Sequence, residues 1–445
     1  MKNFIQTIQD IWKIEELRNK IILTLGLMVV YRLAAQLPLP GIDPTQLTGL
    51  QNTTDANNLL GLLNAFTGGA FAQASVMALG IMPYISASIV VQLMGIAVPY
   101  LQKLQKEGES GRKKINQITR WLTIGILLVQ APAYIASLPS LGIPESAFLL
   151  GRGLTFWFSS ILLLTTGTVF AMWLGERITD KGIGNGISLL IMIGIIARLP
   201  ATFIQEVSSR TEQGNGGALM IFIEVVVWLV VILLSVFLVT AVRKIAVQYA
   251  RRTVAGNIQD VAGARQYIPL KLNSAGVMPI IFAQALMFLP ALLANSNNET
   301  VQAIGLPFKN IFGFWYNLVF AILIIVFSYF YTAITIPTNK MADDLKRSGG
   351  FLPGIRPGKE TADHLDTILS RITLPGSIFL AALAVLPALI VQAGVQAGWA
   401  VFYGGTSLLI MVGVAIDTIQ QINSHLLNRH YDGLMKTGTK RKSVA

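Results

Sequence analysis

Ten apolar runs, each long enough to cross a bilayer, recur along this chain, and few folds are open to a chain built that way. They fall at roughly 21–37, 71–98, 121–138, 154–174, 185–203, 218–242, 274–294, 312–336, 372–391 and 400–420, with ends good to about four residues. A spanning helix needs about 20 predominantly apolar residues. Inside lipid the backbone must satisfy its own hydrogen bonds, which a helix does. Of the 445 residues 53% are hydrophobic and 13% are charged, whereas a soluble domain is about 25% charged. The expected class is an all-α polytopic membrane protein. The second run is longer than a bilayer requires, which predicts tilt or a kink at Pro83.

The basic residues set the topology. No lysine or arginine occurs from Leu33 to Gln102, and six follow between Lys103 and Arg120. Placing successive loops on alternating sides collects 29 of the 34 basic residues on one side. Arg152, Arg198, Arg210 and Lys309 fall on the other side, and Arg32 lies inside the first span. Positive loops stay cytoplasmic, so both termini are expected there, and an even number of spans follows. Ten spans divide into two fives. Five is odd, so the second half starts from the opposite side and the halves are inverted.

The expected organisation is a cytoplasmic amphipathic helix over 1–20, an N-terminal half over 21–205, a C-terminal half over 206–420 and a cytoplasmic tail over 421–445. Phe4, Ile5, Ile8, Ile11 and Trp12 carry the helical period of that first segment. Its charges, Lys2 to Lys20, leave no apolar core for a cleavable leader. The C-terminal half holds two long cytoplasmic loops, 243–273 and 337–371. The second carries Asp343 to Arg347 and then six glycines and prolines, Gly349 to Gly358, a short helix running into a tight turn.

Several chemistries lack their residues. There is no cysteine, hence no disulfide or thiolate. His364, His425 and His430 all fall in cytoplasmic segments, so no serine–histidine dyad lies within the membrane. Glu224 and Asp417 are the only acids within the expected spans, on different spans, and do not make a carboxylate pair. No metal-ligand cluster and no cofactor motif is expected. Gly182, Gly184 and Gly186 lack a preceding strand and the phosphate-loop spacing, and read as a helix break. So few charges within the membrane weigh against an ion-coupled carrier.

A short apolar run, Leu59 to Phe66, precedes Gly68 and Gly69. It is too short to span and too apolar for an exposed loop. It reads as a re-entrant helix on a glycine hinge, which is tolerated only inside protein or beside a water-filled cavity. Isoleucines recur at mid-span. Ile81 and Ile85 share a face, Ile187 and Ile191 repeat that spacing, and Ile281 and Ile410 lie at plausible depth. By spacing alone such residues normally face lipid or pack a core.

Five runs resemble the SecY family, the channel subunits of Sec protein translocases. They are Gly80-Ile-Met-Pro-Tyr-Ile-Ser-Ala-Ser88, Glu107-Gly-Glu-Ser-Gly-Arg-Lys-Lys-Ile-Asn116, Gly182-Ile-Gly-Asn-Gly-Ile-Ser188, Pro353-Gly-Ile-Arg-Pro-Gly358 and Gly404-Gly-Thr-Ser-Leu-Leu-Ile410. They occur in family order along essentially the whole chain.

The resemblance implies two five-helix halves around a central pore. Ile81, Ile85, Ile187, Ile191, Ile281 and Ile410 would form its apolar ring. Residues 58–70 would be the plug, with Leu60, Leu63, Phe66, Gly68 and Gly69. Spans two and three would face spans seven and eight at a lateral gate, where Gln92, Gln130 and Gln284 are the candidate polar residues; each amide can equally bond locally. Arg251, Arg252, Arg265 and Arg356 match loops that dock the ribosome and the SecA motor. After Arg252 the loop departs from the family, running Thr-Val-Ala-Gly-Asn-Ile-Gln-Asp260 where a second basic cluster is expected. The implied partners are SecE, SecG, SecA, the ribosome, signal sequences and membrane lipids. The implied location is a bacterial plasma membrane, or a thylakoid, and no enzymatic activity is implied. A ten-span carrier of a small solute is the alternative reading.

Overall fold

The computed structural model describes residues 11–47, 59–139, 143–149, 151–212, 217–249, 266–273, 275–293, 302–303, 305–308 and 310–440. Two compact units emerge. One comprises residues 1–213, 397–399 and 414–445, and the other 214–396 and 400–413.

The first unit opens with α1 (Glu15–Ala35). Its buried stripe, Leu17, Thr24, Met28, Tyr31 and Ala35, follows the helical period. The opposite face leaves Leu25, Val29 and Leu33 57 to 62% exposed. A water-facing helix would not carry that face, but a lipid-facing one must. The same inversion recurs throughout the unit, where Thr123, Thr168 and Ser75 are fully buried while Val129, Leu154 and Phe158 are exposed. The short helix α2 (Leu59–Phe66) is followed by α3 (Met82–Ala97), α4 (Pro99–Lys106), α5 (Glu109–Ser137), α6 (Leu154–Lys181) and α7 (Gly186–Glu212). Pro132 and Pro200 lie within α5 and α7, as membrane helices allow when neighbours satisfy the freed carbonyls. Arg120 of α5 donates from Nε and Nη2 to both carboxylate oxygens of Glu176 on α6, at 2.8 and 2.6 Å. This two-pronged, charge-assisted bond fixes the two helices to each other.

The expected second span needs correction. Only its latter part is helical, because α3 begins at Met82, and residues 67–81 form successive turns. Pro83 therefore kinks nothing. It occupies the first turn of α3, where its missing N–H costs no bond. Positive φ at Gly68, Gly69, Ala74 and Gly80 breaks the helix. The turns survive because tertiary partners satisfy them. Leu39 N–H donates to Ala74 O at 2.9 Å, Val76 N–H to Leu37 O at 2.9 Å, and the Tyr134 hydroxyl to Phe71 O at 3.0 Å. Phe71 and Tyr134 also meet edge-on, 5.0 Å between ring centres, within a core that includes Leu39, Ile42, Ile135, Phe148 and Leu164. Apolar composition is the same for a span and for such a buried coil, so hydropathy merged them. Beyond Ala97 the chain turns through 100° into α4.

The second unit contains α8 (Gly217–Thr240), α9 (Met278–Leu293), α10 (Phe314–Thr335), α11 (Thr338–Arg347) and α12 (Lys359–Gln392). α13 (Gly405–Lys440) begins in this unit and continues in the first. Each of the ten expected spans holds one of these helices. Among the described residues seven are long and apolar enough to cross a membrane, or eight if α3 and α4 count as one bent span. The loops expected on the cytoplasmic side hold a small sheet that hydropathy did not reveal. β1 (Val242–Tyr249) pairs antiparallel with β2 (Gln266–Lys271), from Val242 opposite Lys271 to Val247 opposite Gln266. It also pairs with β3 (Gly350–Phe351) at Gln248 and Tyr249. Ile245, Val247, Ile268 and Leu270 pack on Leu365, Leu369 and Ile372, the two-residue period of a half-buried sheet. Those last three lie on the start of α12, which begins at Lys359, well before the apolar run at 372. The loop sheet is therefore seated on a continuous extension of a spanning helix. α11 then runs into a turn with positive φ at Gly349, Gly354 and Gly358.

Candidate functional site

The glycine run 182–188 is a joint that sets Ile187 and Ile191. Ile183 N–H donates to Thr24 Oγ1 of α1 at 3.1 Å, Gly184 N–H to Gln421 Oε1 of α13 at 2.9 Å, and Gly186 N–H to Thr179 Oγ1 of α6 at 2.9 Å. Asn185 caps α7, accepting on Oδ1 from Ile187 and Ser188 N–H at 3.2 and 3.3 Å. A Cβ on Gly186 would overlap the Gly175 carbonyl, and one on Gly175 would come 2.9 Å from Ile187 Cγ1. Glycine is needed at both positions because α6 and α7 meet backbone to backbone. Ile187 is consequently pressed on Gly175, and Ile191, one turn on, is 8% exposed.

The expected plug lies against α7. α2 contacts that helix, and its exit is held on three sides. Phe66 O and Gly68 N crowd Gly194 of α7, where a Cβ would come 2.7 and 3.4 Å away. Gly68 has φ +66°, and a Cβ there would overlap Arg32 Nη1 of α1 and lie 2.9 Å from Gly194 Cα. Arg32 Nη1 donates to Gly68 O at 3.1 Å. Asn64, 2% exposed, accepts on Oδ1 from Ala72 N–H at 3.1 Å, and its carbonyl accepts from Gly69 N–H at 2.9 Å. Phe66 is buried. The side chains of Leu60 and Leu63 lie outside the described ones.

Ile81 is the residue on which α3 starts, 4% exposed, and its carbonyl accepts from Ile85 N–H at 3.1 Å, which places the two side chains one turn apart on a common face. Ile85 is half-buried. In the second unit Ile281 lies half-buried in the first turn of α9, and Gln284 follows three residues later, also half-buried. Ile410 is 3% exposed on α13. Its approach is fixed at Gly404, where a Cβ would overlap Leu383 O and come 3.1 Å from Pro387 Cδ of α12. Trp228 Nε1 of α8 also donates to Phe402 O at 3.0 Å. Gln92 donates within its own helix to Ser88 Oγ at 3.3 Å, and Gln130 is exposed.

Arg356 stands at the tip of the 337–371 loop with its side chain 88% exposed, 4.0 Å from Glu360. Such an open ion pair contributes little stability, so the guanidinium is available to a partner. The Thr361 hydroxyl donates to Arg356 O at 2.8 Å and fixes the backbone beneath it. Arg251, Arg252 and Arg265 lie outside the described residues. Sequence reasoning placed Arg32 within a span and assigned it nothing, and it passed over Asn64 and Gly194. A lone arginine inside an apolar span was the available signal.

The apolar helices with polar interiors, interrupted by the turns of residues 67–81, define a multi-pass helical membrane protein. Residues 75–419 match the model of the SecY family. The chain is 40% identical over 436 residues to the protein translocase subunit SecY of Streptomyces scabiei, covering 96% of this chain and 98% of that one. It is 41% identical over 440 residues to the protein translocase subunit SecY of Mycobacterium tuberculosis, covering 95% and 97%. The chain belongs to the SecY family. Its fold is similar to that of a solved protein-conducting channel, with TM-score 0.58, 17% identity and 91% of each chain covered. It is also similar to Sec61 of the canine ribosome–channel complex from the endoplasmic reticulum, with TM-score 0.54, 17% identity and 91% of each chain covered.

Proposed function

We propose that this chain is the central channel subunit of a protein translocase, conducting unfolded secretory polypeptides across a membrane and releasing apolar segments sideways into lipid. The observation that carries this reading is its nearly full-length relation, at 40% identity, to a translocase subunit. A small-solute carrier is not favoured by that relation. The six isoleucines Ile81, Ile85, Ile187, Ile191, Ile281 and Ile410 supply the constriction. Branched apolar side chains dewet a narrow neck and offer no fixed hydrogen bonds, so they close around any sequence without holding it. Residues 58–70 act as the plug, and the close seat of Gly68 on Gly194 supports a resting position for it. Gln92, Gln130 and Gln284 are candidate lateral-gate residues. Only the local bond of Gln92 bears on them, and it favours a packing role for that residue.

The sequence carries no nucleotide-binding motif, so energy comes from a partner: the SecA motor or the ribosome. SecE and SecG complete the complex in a bacterial plasma membrane, with both termini cytoplasmic, and we assign no catalytic role. Arg356 docks the partner, because a guanidinium pairs phosphate or carboxylate through two bonds and this one is exposed on a fixed turn.

Reconstituted with its partner subunits, motor and ATP, the complex is expected to carry an unfolded precursor into a protease-protected lumen. Arg356→Glu is expected to slow this about tenfold, since it puts like charge against the partner's acidic or phosphate group. An unchanged rate removes Arg356 from the interface, and no protected precursor from an assembled complex overturns the channel reading.

A further inference from the structure

We infer that Arg32 is a positioning residue that latches the plug hinge shut from the first membrane helix. This rests on the plug reading above. The hinge peptide is held between two walls. On one side the backbone of Gly194 lies where any Cβ on Gly68 would come within 2.9 Å of its Cα and 3.0 Å of its carbonyl oxygen. On the other, the Arg32 guanidinium fills the space a Gly68 side chain would need and donates to the Gly68 carbonyl at 3.1 Å. Gly68 is therefore glycine for two reasons, its φ of +66° and the arginine occupying its side-chain slot.

A guanidinium inside an apolar span is costly unless it finds acceptors, and such residues are kept for a task. Arg32 lies on the flank of the buried stripe of α1, whose Thr24 already anchors the 182–188 joint. One helix thus holds both glycine joints of this unit, one with a hydroxyl and one with a charge. The Arg32 bond exists only while Gly68 sits on Gly194. It therefore stabilises the closed hinge and adds nothing to the open one, and by linkage it shifts the equilibrium between them.

The chain has no cysteine, so Phe66→Cys places a single thiol on the buried end of α2. Its rate of labelling by a water-soluble maleimide reads hinge opening in the assembled complex without precursor. Arg32→Gln in this background is expected to raise the rate about tenfold, the scale of one charge-assisted bond. Arg32→Lys, which keeps a donor, is expected to restore part of the protection. Gly68→Ala, which displaces the guanidinium from its slot, is expected to raise the rate independently. Channel conductance should rise with labelling.

Equal rates in Arg32 and Arg32→Gln complexes overturn the inference. So does an equal rise at a thiol placed by Leu164→Cys in the core of the unit, which would mean general loosening. Faster labelling with no rise in conductance overturns the gating role while leaving the contact. The plug reading fails separately, if removal of the whole segment leaves conductance unchanged.

Discussion

Deleting Leu60 to Gly69 is expected to raise the resting ion conductance of the reconstituted channel about tenfold or more, because on the proposed reading the isoleucine ring would then be the only barrier to water. The deletion is confined to one element. Its flank, residues 70–80, is anchored by the Tyr134 bond to Phe71 and by the exchanges between Leu37, Leu39, Ala74 and Val76. Those bonds do not involve the deleted residues, so the surrounding helices keep their packing. The side-chain anchors lost include Arg32 to Gly68, Asn64 to Ala72 and Thr67 to Phe71, each with one partner in the segment being removed. Single-channel recording in planar bilayers measures the effect. A deleted channel as quiet as the intact one would mean that this segment packs the interior and seals nothing.

Gly186→Val is a point substitution with a large expected cost. Its Cβ would overlap the Gly175 carbonyl and lie 2.7 Å from the Ile178 Cβ. Backbone and a branched neighbour cannot yield as a flexible side-chain tip can. Separating α6 from α7 also strains the Thr179 and Asn185 bonds that start α7. Overpacking of this kind costs about 3 kcal/mol. The purified complex should lose its assembled state at a clearly lower temperature, followed by size-exclusion chromatography after heating. Precursor transport should fall as well, since Ile187 and Ile191 move with the joint. An unchanged midpoint would show that the two helices can part at little cost.

What could be read from the chain alone divides along physical lines. Hydropathy found a helix in all ten places, because lipid demands about 20 apolar residues whatever the neighbours are. Hydropathy failed at Phe71 to Ile81, where a buried coil is as apolar as a span. There the decision lay with partners far along the chain, Leu37, Leu39 and Tyr134. The loop sheet was hidden because its apolar alternation, Ile245 and Val247 against Ile268 and Leu270, spans only two residues per strand and is split by residues 250–265. The Gly182–Ser188 run was readable as a break, but not as a three-way joint, since Thr24, Thr179 and Gln421 carry no local signature. Phe66 and Gly68 were legible from the short apolar run and its hinge. Their seat on Gly194 and Arg32 depends on close approach in space.

The central claim is that a polypeptide passes the isoleucine constriction, and a photoreactive residue in place of Ile85 tests it most directly. Ile85 is half-buried one turn into α3 and shares its face with Ile81. In an assembled complex engaged with a stalled secretory chain, this residue should crosslink to that chain only when the chain carries a functional signal sequence. Absence of any crosslink from an engaged complex would make the isoleucines packing residues and contradict the account.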